Sequence, residues 1–144
     1  MVIDHIGVVV PSLEEAIPGW VKTFGYEQMT EPVLNSRQKV RVVFLRKEGS
    51  TTVKLVEPVD RSSSVFALSS RGGGLHHLCF RTDSMESTMR HLELAKARVL
   101  VPPEPGEAFE NEPIAFVFVH GLATEIIATE KKAKLISHNQ PSQS

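Results

Sequence analysis

The pattern of apolar and polar residues at the start of the chain predicts a strand followed by a helix. Residues 3–10 form an almost unbroken apolar run containing one histidine, which is typical of a strand buried on both faces. Ser12 and Glu15 then form a capping box, and apolar residues follow at helical spacing. Gly25 is placed to end this helix, and Pro18 is expected to kink it.

The rest of the chain predicts further strands and a second copy of the strand–helix unit. Glycine, proline and serine clusters separate the apolar runs. The predicted elements are a weak strand near 27–33, strands at 39–45 and 51–56, a linker helix at about 62–71, a strand at 75–81, a helix at 84–96, a short strand at 99–101, a loop at 102–113, and strands at 114–119 and 123–128.

The two halves of the chain are similar residue by residue. IDHIGVVVPSLEEAI, which begins at Ile3, aligns without a gap on LHHLCFRTDSMESTM, and this places His5 over His77. Near the end of each half, VKLVEP aligns with TEIIAT and places Lys54 over Glu125. Such a repeat indicates two copies of one supersecondary unit packed together.

We therefore predict an α+β protein with one domain at 1–130, built from modules at about 2–59 and 74–129. The polar residues 131–144 are expected to form a disordered tail.

Composition excludes several classes of function. The 144 residues carry a formal net charge of −1, which gives no electrostatic footprint for nucleic acid or an anionic membrane. No apolar run approaches the ~20 residues of a membrane span, and the N-terminus has no signal-peptide pattern. The single cysteine, Cys79, cannot form an internal disulfide, which agrees with a cytoplasmic location.

Strand periodicity places the two aligned histidines on one face of the sheet. Each helix has an apolar stripe that must cover a sheet face, and the residues next to each histidine suit that stripe better. His5 and His77 then point away from the helices, close to Lys54 and Glu125. Two histidines and a carboxylate can bind a divalent metal, but the histidines could equally be hydrogen-bonded core residues.

These segments resemble the vicinal oxygen chelate superfamily, which includes glyoxalase I, extradiol dioxygenases, bleomycin-resistance proteins and methylmalonyl-CoA epimerase. The resemblance covers residues 2 to about 128 and is greatest to the epimerases, with GLHH at 74–77 its most specific segment. It implies two βαβββ modules that form a cupped mixed sheet around one metal, with the helices on the outer face. It also implies metal ligands at His5, His77 and Glu125, and a fourth at the position of Lys54.

Lys54 departs from the family pattern, because a protonated lysine has no lone pair for a metal. Either a divalent ion (zinc, cobalt, nickel or manganese) binds through three protein ligands, or Lys54 replaces the metal and pairs with Glu125. The resemblance implies a metal-assisted isomerase or lyase that abstracts a proton next to a carbonyl, with Glu125 and Lys54 as catalytic residues. The alternative is a metal-free protein that sequesters a small molecule.

The expected partners are a small carbonyl or carboxylate compound and a second copy of the chain in a homodimer, but no nucleic acid and no membrane. The predicted loop at 102–113 contains four glutamates, where the epimerases have glycine and lysine. These carboxylates are expected to repel the phosphates of coenzyme A.

Overall fold

A computed structural model describes residues 1–137, which fold into a mixed β-sheet with the two long helices on one face. The α+β fold predicted from the sequence is confirmed. The elements are β1 Val2–Val9, α1 Leu13–Phe24, β2 Glu27–Gln28, β3 Val33–Asn35, β4 Val40–Arg46, β5 Thr52–Pro58, α2 Phe66–Ser70, β6 Gly74–Arg81, α3 Met85–Leu94, β7 Arg98–Gly106, a 3₁₀ turn at Glu107–Phe109, β8 Glu112–Val119 and β9 Leu122–Ile127.

The sheet shows the repeat as two matching halves joined at its centre. The strand order is β2-β4-β5-β1-β6-β9-β8-β7, with β3 paired to β4. In one half β1 lies parallel to β5, and in the other β6 lies parallel to β9. β1 and β6 pair antiparallel, which brings the first strands of the two modules side by side. Residues at equivalent positions of the repeat therefore meet in the middle of the sheet.

Both long helices begin where the sequence predicts. The Ser12 hydroxyl accepts a hydrogen bond from the backbone N–H of Glu15 at 3.4 Å, and Ser84 caps α3 in the same way. α1 continues through Pro18 and ends at Gly25, which has a φ of 74°. A residue with a side chain would be strained at that φ, which explains why glycine ends this helix.

Strand periodicity assigns the two faces of the sheet correctly. Val8 packs with Leu13 of α1 on one face, and Phe80 packs with Leu92 of α3 in the second module. The opposite face, which we call the cup face, carries Phe44, Phe109 and other buried apolar residues. His5 and His77 point to this cup face, as predicted from their positions in β1 and β6.

The predicted loop at 102–113 is wrong over most of its length. β7 extends to Gly106, a 3₁₀ turn follows, and β8 begins at Glu112. The adjacent Pro102 and Pro103 favoured a loop, because proline cannot donate a ladder hydrogen bond. β7 lies at the edge of the sheet, and its pairing with β8 shifts register between Val101 and Glu104, which accommodates both prolines.

Disorder was expected from Lys131 onwards, but residues 131–137 pack along the cup face. The Ala133 N–H donates to the Ala108 carbonyl at 2.9 Å, and the Ile136 N–H donates to the Met29 carbonyl at 3.0 Å. Residues 138–144 lie outside the described part of the chain. The linker helix is shorter than predicted, since α2 covers only Phe66–Ser70.

Candidate active site

Four strands bring the aligned polar residues to one carboxylate oxygen. Glu125 Oε1 lies 3.0 Å from His5 Nε2, 3.1 Å from Lys54 Nζ and 3.1 Å from His77 Nε2. Lys54 Nζ also donates to Glu125 Oε2 at 3.3 Å. The exposed fractions are 0% for His5 and Glu125, 2% for Lys54 and 6% for His77, so the cluster is shielded from water.

Each histidine has a second polar partner on its other ring nitrogen. His5 Nδ1 lies 2.7 Å from Asp4 Oδ2, and His77 Nδ1 lies 2.8 Å from His76 Nδ1. An ionised carboxylate can only accept, so His5 donates Nδ1–H to Asp4. In the metal-free protein, Nε2–H of His5 donates to Glu125 Oε1 at 3.0 Å, and a metal bound at Nε2 would displace this proton. Partners of this kind fix the ring orientation of histidines that bind metals.

The ring of His77 occupies space that exists only because residue 7 is glycine. A Cβ on Gly7 would lie 2.1 Å from His77 Cε1. Gly7 and His77 are paired across β1 and β6, so the ring lies directly over the neighbouring strand. The signal is visible in the sequence as a glycine two residues after His5, although its meaning depends on the strand pairing.

The electrostatics of the cluster separate its charged members from its neutral ones. Burial raises the pKa of Glu125, but the charge of Lys54 and the hydrogen bond from His5 outweigh burial and hold this pKa well below its usual range. Burial lowers the pKa of His77 to about 4, so His77 is neutral near pH 7. A neutral imidazole is the form that binds a metal.

A second buried lysine, Lys132, reaches the cluster from the segment after β9. Its Nζ lies 3.3 Å from Asp4 Oδ2, and its side chain is 6% exposed. Nζ also lies 5.2 Å from the ring centre of Phe44 and 5.5 Å from that of Phe109. Sequence reasoning missed Lys132 because it lies outside the repeat and has no aligned counterpart.

The donor atoms of His5, His77 and Glu125 suit a divalent metal. All three lie within 4.8 Å of one another, and ligands of a tetrahedral zinc site lie ~3.3 Å apart at the usual Zn–N distance of ~2.0–2.1 Å. His77 Nε2 is the one buried side-chain nitrogen or oxygen in residues 1–137 that lacks an aligned hydrogen-bond partner. Its 3.1 Å contact with Glu125 therefore suits two ligands of one ion better than a hydrogen bond. Lys54 stands where the resemblance noted in the sequence implies a fourth ligand.

The cup face is filled around the cluster by protein side chains. The ring centres of Phe44 and Phe109 lie 5.2 Å and 6.2 Å from the ring centre of His5. Residues 131–137 run across this face. On the other side of His77, an open cleft of about 270 Å³ is lined by His76, Leu122 and neighbouring residues. A ligand can reach Glu125 only if some of these side chains move.

The remaining candidates from the sequence lie in ordinary structural environments. Burial raises the pKa of the Cys79 thiol, which makes this cysteine unreactive. Two of the four glutamates at 102–113 have partners: Glu107 accepts from Ser36, and Glu112 pairs with Lys131 at 3.0 Å. The expected repulsion of coenzyme A stays a prediction.

Comparison with known proteins places this chain in a family. Residues 4–116 match the model of the Glyoxalase/Bleomycin resistance protein/Dioxygenase superfamily. The chain belongs to this superfamily, as its repeat and its sheet indicate.

The most similar proteins include methylmalonyl-CoA epimerases. The mitochondrial methylmalonyl-CoA epimerase of Bos taurus is 32% identical over 117 residues, which cover 80% of this chain but only 65% of the bovine protein. The Streptomyces coelicolor methylmalonyl-CoA epimerase in complex with 2-nitronate-propionyl-CoA has a TM-score of 0.78 at 26% identity, covering 90% of this chain and 98% of that one. A methylmalonyl-CoA epimerase in complex with methylmalonyl-CoA and NH4+ has a TM-score of 0.76 at 26% identity, covering 90% and 96%.

In residues 1–137, no helix is both long and apolar enough to cross a membrane. The predicted homodimer and the predicted cytoplasmic location stay predictions.

Proposed function

We propose that this protein is an isomerase that moves the proton on the carbon next to an acyl carbonyl, with a 2-substituted acyl thioester as substrate. The observation that carries the proposal is the convergence of His5, His77 and Glu125 in the fold of the methylmalonyl-CoA epimerases. Two of the similar structures were solved with acyl-CoA ligands, which supports this substrate class.

His5, His77 and Glu125 would hold a divalent metal, for which zinc, cobalt, nickel and manganese are all suitable. Bound there, such an ion polarises a carbonyl and stabilises the enolate formed by proton loss. The unpartnered Nε2 of His77 and the neutral state of its ring both support this use.

Glu125, which is ionised in the fold, would take the proton from the substrate carbon onto a carboxylate oxygen and return a proton to the enolate carbon. Its lowered pKa makes it a weak base, so the step depends on stabilisation of the enolate by nearby positive charge. Lys54 donates to both oxygens of Glu125 and keeps this carboxylate oriented. Its ammonium can also donate to an enolate or carboxylate oxygen once the cup face opens. A positive charge at this position lowers the free energy of an enolate in a site shielded from water.

A second function, metal-free sequestration of a small anion, is favoured by the charges around the cluster. Lys54 already occupies the fourth ligand position, and Lys132 and Arg81 add two further cations against the carboxylates of Asp4 and Glu125. Apart from the histidines, the cluster therefore carries more positive than negative charge. This balance disfavours a divalent cation and favours an anionic ligand.

Deuterium exchange at C2 of methylmalonyl-CoA, followed in D₂O by mass spectrometry, distinguishes the two functions. We expect deuterium exchange after metal-free protein is supplied with one of the four ions, and its loss in His77→Gln. His120→Gln, at an exposed histidine, is the matched control. Deuterium exchange with no ion supplied would show that Lys54, rather than a metal, stabilises the enolate. Ligand binding without any exchange would contradict the isomerase and support sequestration.

The same assay tests the glutamates of 102–113. A methylmalonyl thioester of pantetheine carries the reacting group but no phosphate. If these carboxylates repel coenzyme A, the pantetheine thioester will have the higher kcat/KM, and adding salt will narrow the difference.

A further inference from the structure

Asp4 is held by three donors that come from distant parts of the chain. His5 Nδ1 lies 2.7 Å from Oδ2, Arg81 Nη1 lies 2.8 Å from Oδ1, and Lys132 Nζ lies 3.4 Å from Oδ1 and 3.3 Å from Oδ2. Arg81 is partly exposed, whereas Lys132 is buried. Lys132 is the one of these three that approaches both carboxylate oxygens.

A cation shared between both oxygens restricts rotation of the Asp4 carboxylate. With Oδ2 fixed, the Nδ1–H of His5 has one acceptor, and the ring of His5 cannot turn without losing it. The backbone of residues 131–137 supports this arrangement, because hydrogen bonds to Ala108 and Met29 hold the segment that carries Lys132. Lys132 therefore acts on His5 through Asp4.

We propose that Lys132 is a positioning residue of the active site, which keeps Nε2 of His5 directed at Glu125 by holding both oxygens of Asp4. The catalytic meaning of this role rests on the proposed function, but the geometry is testable without a metal or a substrate. A lysine that only filled space over Phe44 and Phe109 would leave the proton position on His5 unchanged.

The test compares Lys132→Met with Lys131→Met, a matched change at the adjacent lysine, whose side chain pairs with Glu112 at the surface. Long-range ¹H–¹⁵N spectra of metal-free protein report which nitrogen of each histidine ring carries the proton, and His5→Gln assigns the His5 signals. We expect Lys132→Met to shift the His5 nitrogens and speed exchange of the Nδ1 proton. Lys131→Met should leave both unchanged, and Lys132→Arg should restore the wild-type spectrum.

Cobalt titration gives the second readout, since loss of an outer partner of a metal-binding histidine typically weakens metal affinity by ~10–100-fold. We expect a loss of about tenfold in Lys132→Met, at the low end of that range, because Arg81 still holds Asp4. If wild-type protein binds no cobalt, zinc, nickel or manganese, the metal-assisted function fails, while the histidine spectrum still decides the role of Lys132.

A folded Lys132→Met protein with wild-type His5 signals would overturn the proposal. If Lys132→Met does not fold, Lys132→Gln takes its place, because glutamine keeps much of the packing but cannot supply a charge to both oxygens. Wild-type His5 signals in Lys132→Gln would equally overturn it, and shifted signals would support it.

Discussion

The two halves of the sheet bring equivalent histidines to the same oxygen but support them differently. His5 and His77 approach Glu125 Oε1 to within 3.0 Å and 3.1 Å, as expected for a repeat. Behind His5 stands the carboxylate of Asp4, whereas behind His77 stands the imidazole of His76. The repeat thus accounts for where the two rings lie, and the residues that differ between the halves, Asp4 and His76, give each ring its own charge environment.

The closing strands of the two halves differ in the same way. Equivalent positions carry Lys54 in one half and Glu125 in the other, and the two side chains form a buried ion pair. A symmetric pair of lysines or of glutamates would leave two like charges buried side by side, at a high cost in folding free energy. Breaking the symmetry of the repeat at this position makes a metal-free fold possible.

The largest loss of stability is expected from Glu125→Gln. This change removes the negative charge that His5, Lys54 and His77 contact from the two halves. Lys54 would then be buried without a counter-charge, and loss of one partner from a buried pair typically costs ~3–5 kcal/mol. Urea unfolding should show this decrease. Adding Lys54→Met should recover part of it, and a double variant as unstable as Glu125→Gln would contradict the ion-pair explanation.

The second largest loss of stability is expected on acidification, because His77 binds a proton when the protein unfolds. Burial holds its folded pKa at about 4, below the ordinary value of 6.5, so the unfolded chain binds more protons between these two pH values. The free energy of unfolding should therefore fall by about 3 kcal/mol as the pH falls from about 6.5 to about 4. In His77→Gln this slope should flatten. The pKa of Asp4 is lowered from 3.8 to about 2 in the fold, so protonation of Asp4 decreases the free energy of unfolding further only below pH 3.8.

A smaller effect is expected from Gly7→Ala, which acts on the second histidine alone. The new Cβ would meet the His77 ring, and overpacking of this kind typically costs ~1–3 kcal/mol. Thermal unfolding measures the cost, and the His77 ring signals should move while those of His5 stay. Gly19→Ala is the matched control, because a Cβ there meets nothing within 4 Å. Equal effects of the two changes would show that the ring does not depend on Gly7.

The smallest effect is expected at Cys79, which stands beside His5 as Gly7 stands beside His77. Its thiol is fully buried with a raised pKa, so a thiol reagent should not modify the native protein within the time that modifies the urea-unfolded chain completely. Rapid modification of native protein would show that the His5 half opens more readily than its burial indicates.

The sequence predicted which four polar side chains meet on the cup face, but not the residues packed around them. His5, Lys54, His77 and Glu125 could be found because the repeat aligns them and strand periodicity gives their face. Lys132 could not, because its role depends on how residues 131–137 fold back, and their polar composition suggested disorder. β7 was cut short for a related reason, since Pro102 and Pro103 argue against a strand unless its place at the sheet edge is known.

The position of Lys132 has a consequence for when the first half of the protein can fold during synthesis. Asp4 leaves the ribosome 128 residues before Lys132, its buried cation, and Lys54 leaves it 71 residues before Glu125. An emerging first module therefore carries ionised groups whose native partners do not yet exist. It must keep these groups in water, so the first half cannot close its cup face until Glu125 and Lys132 have been made.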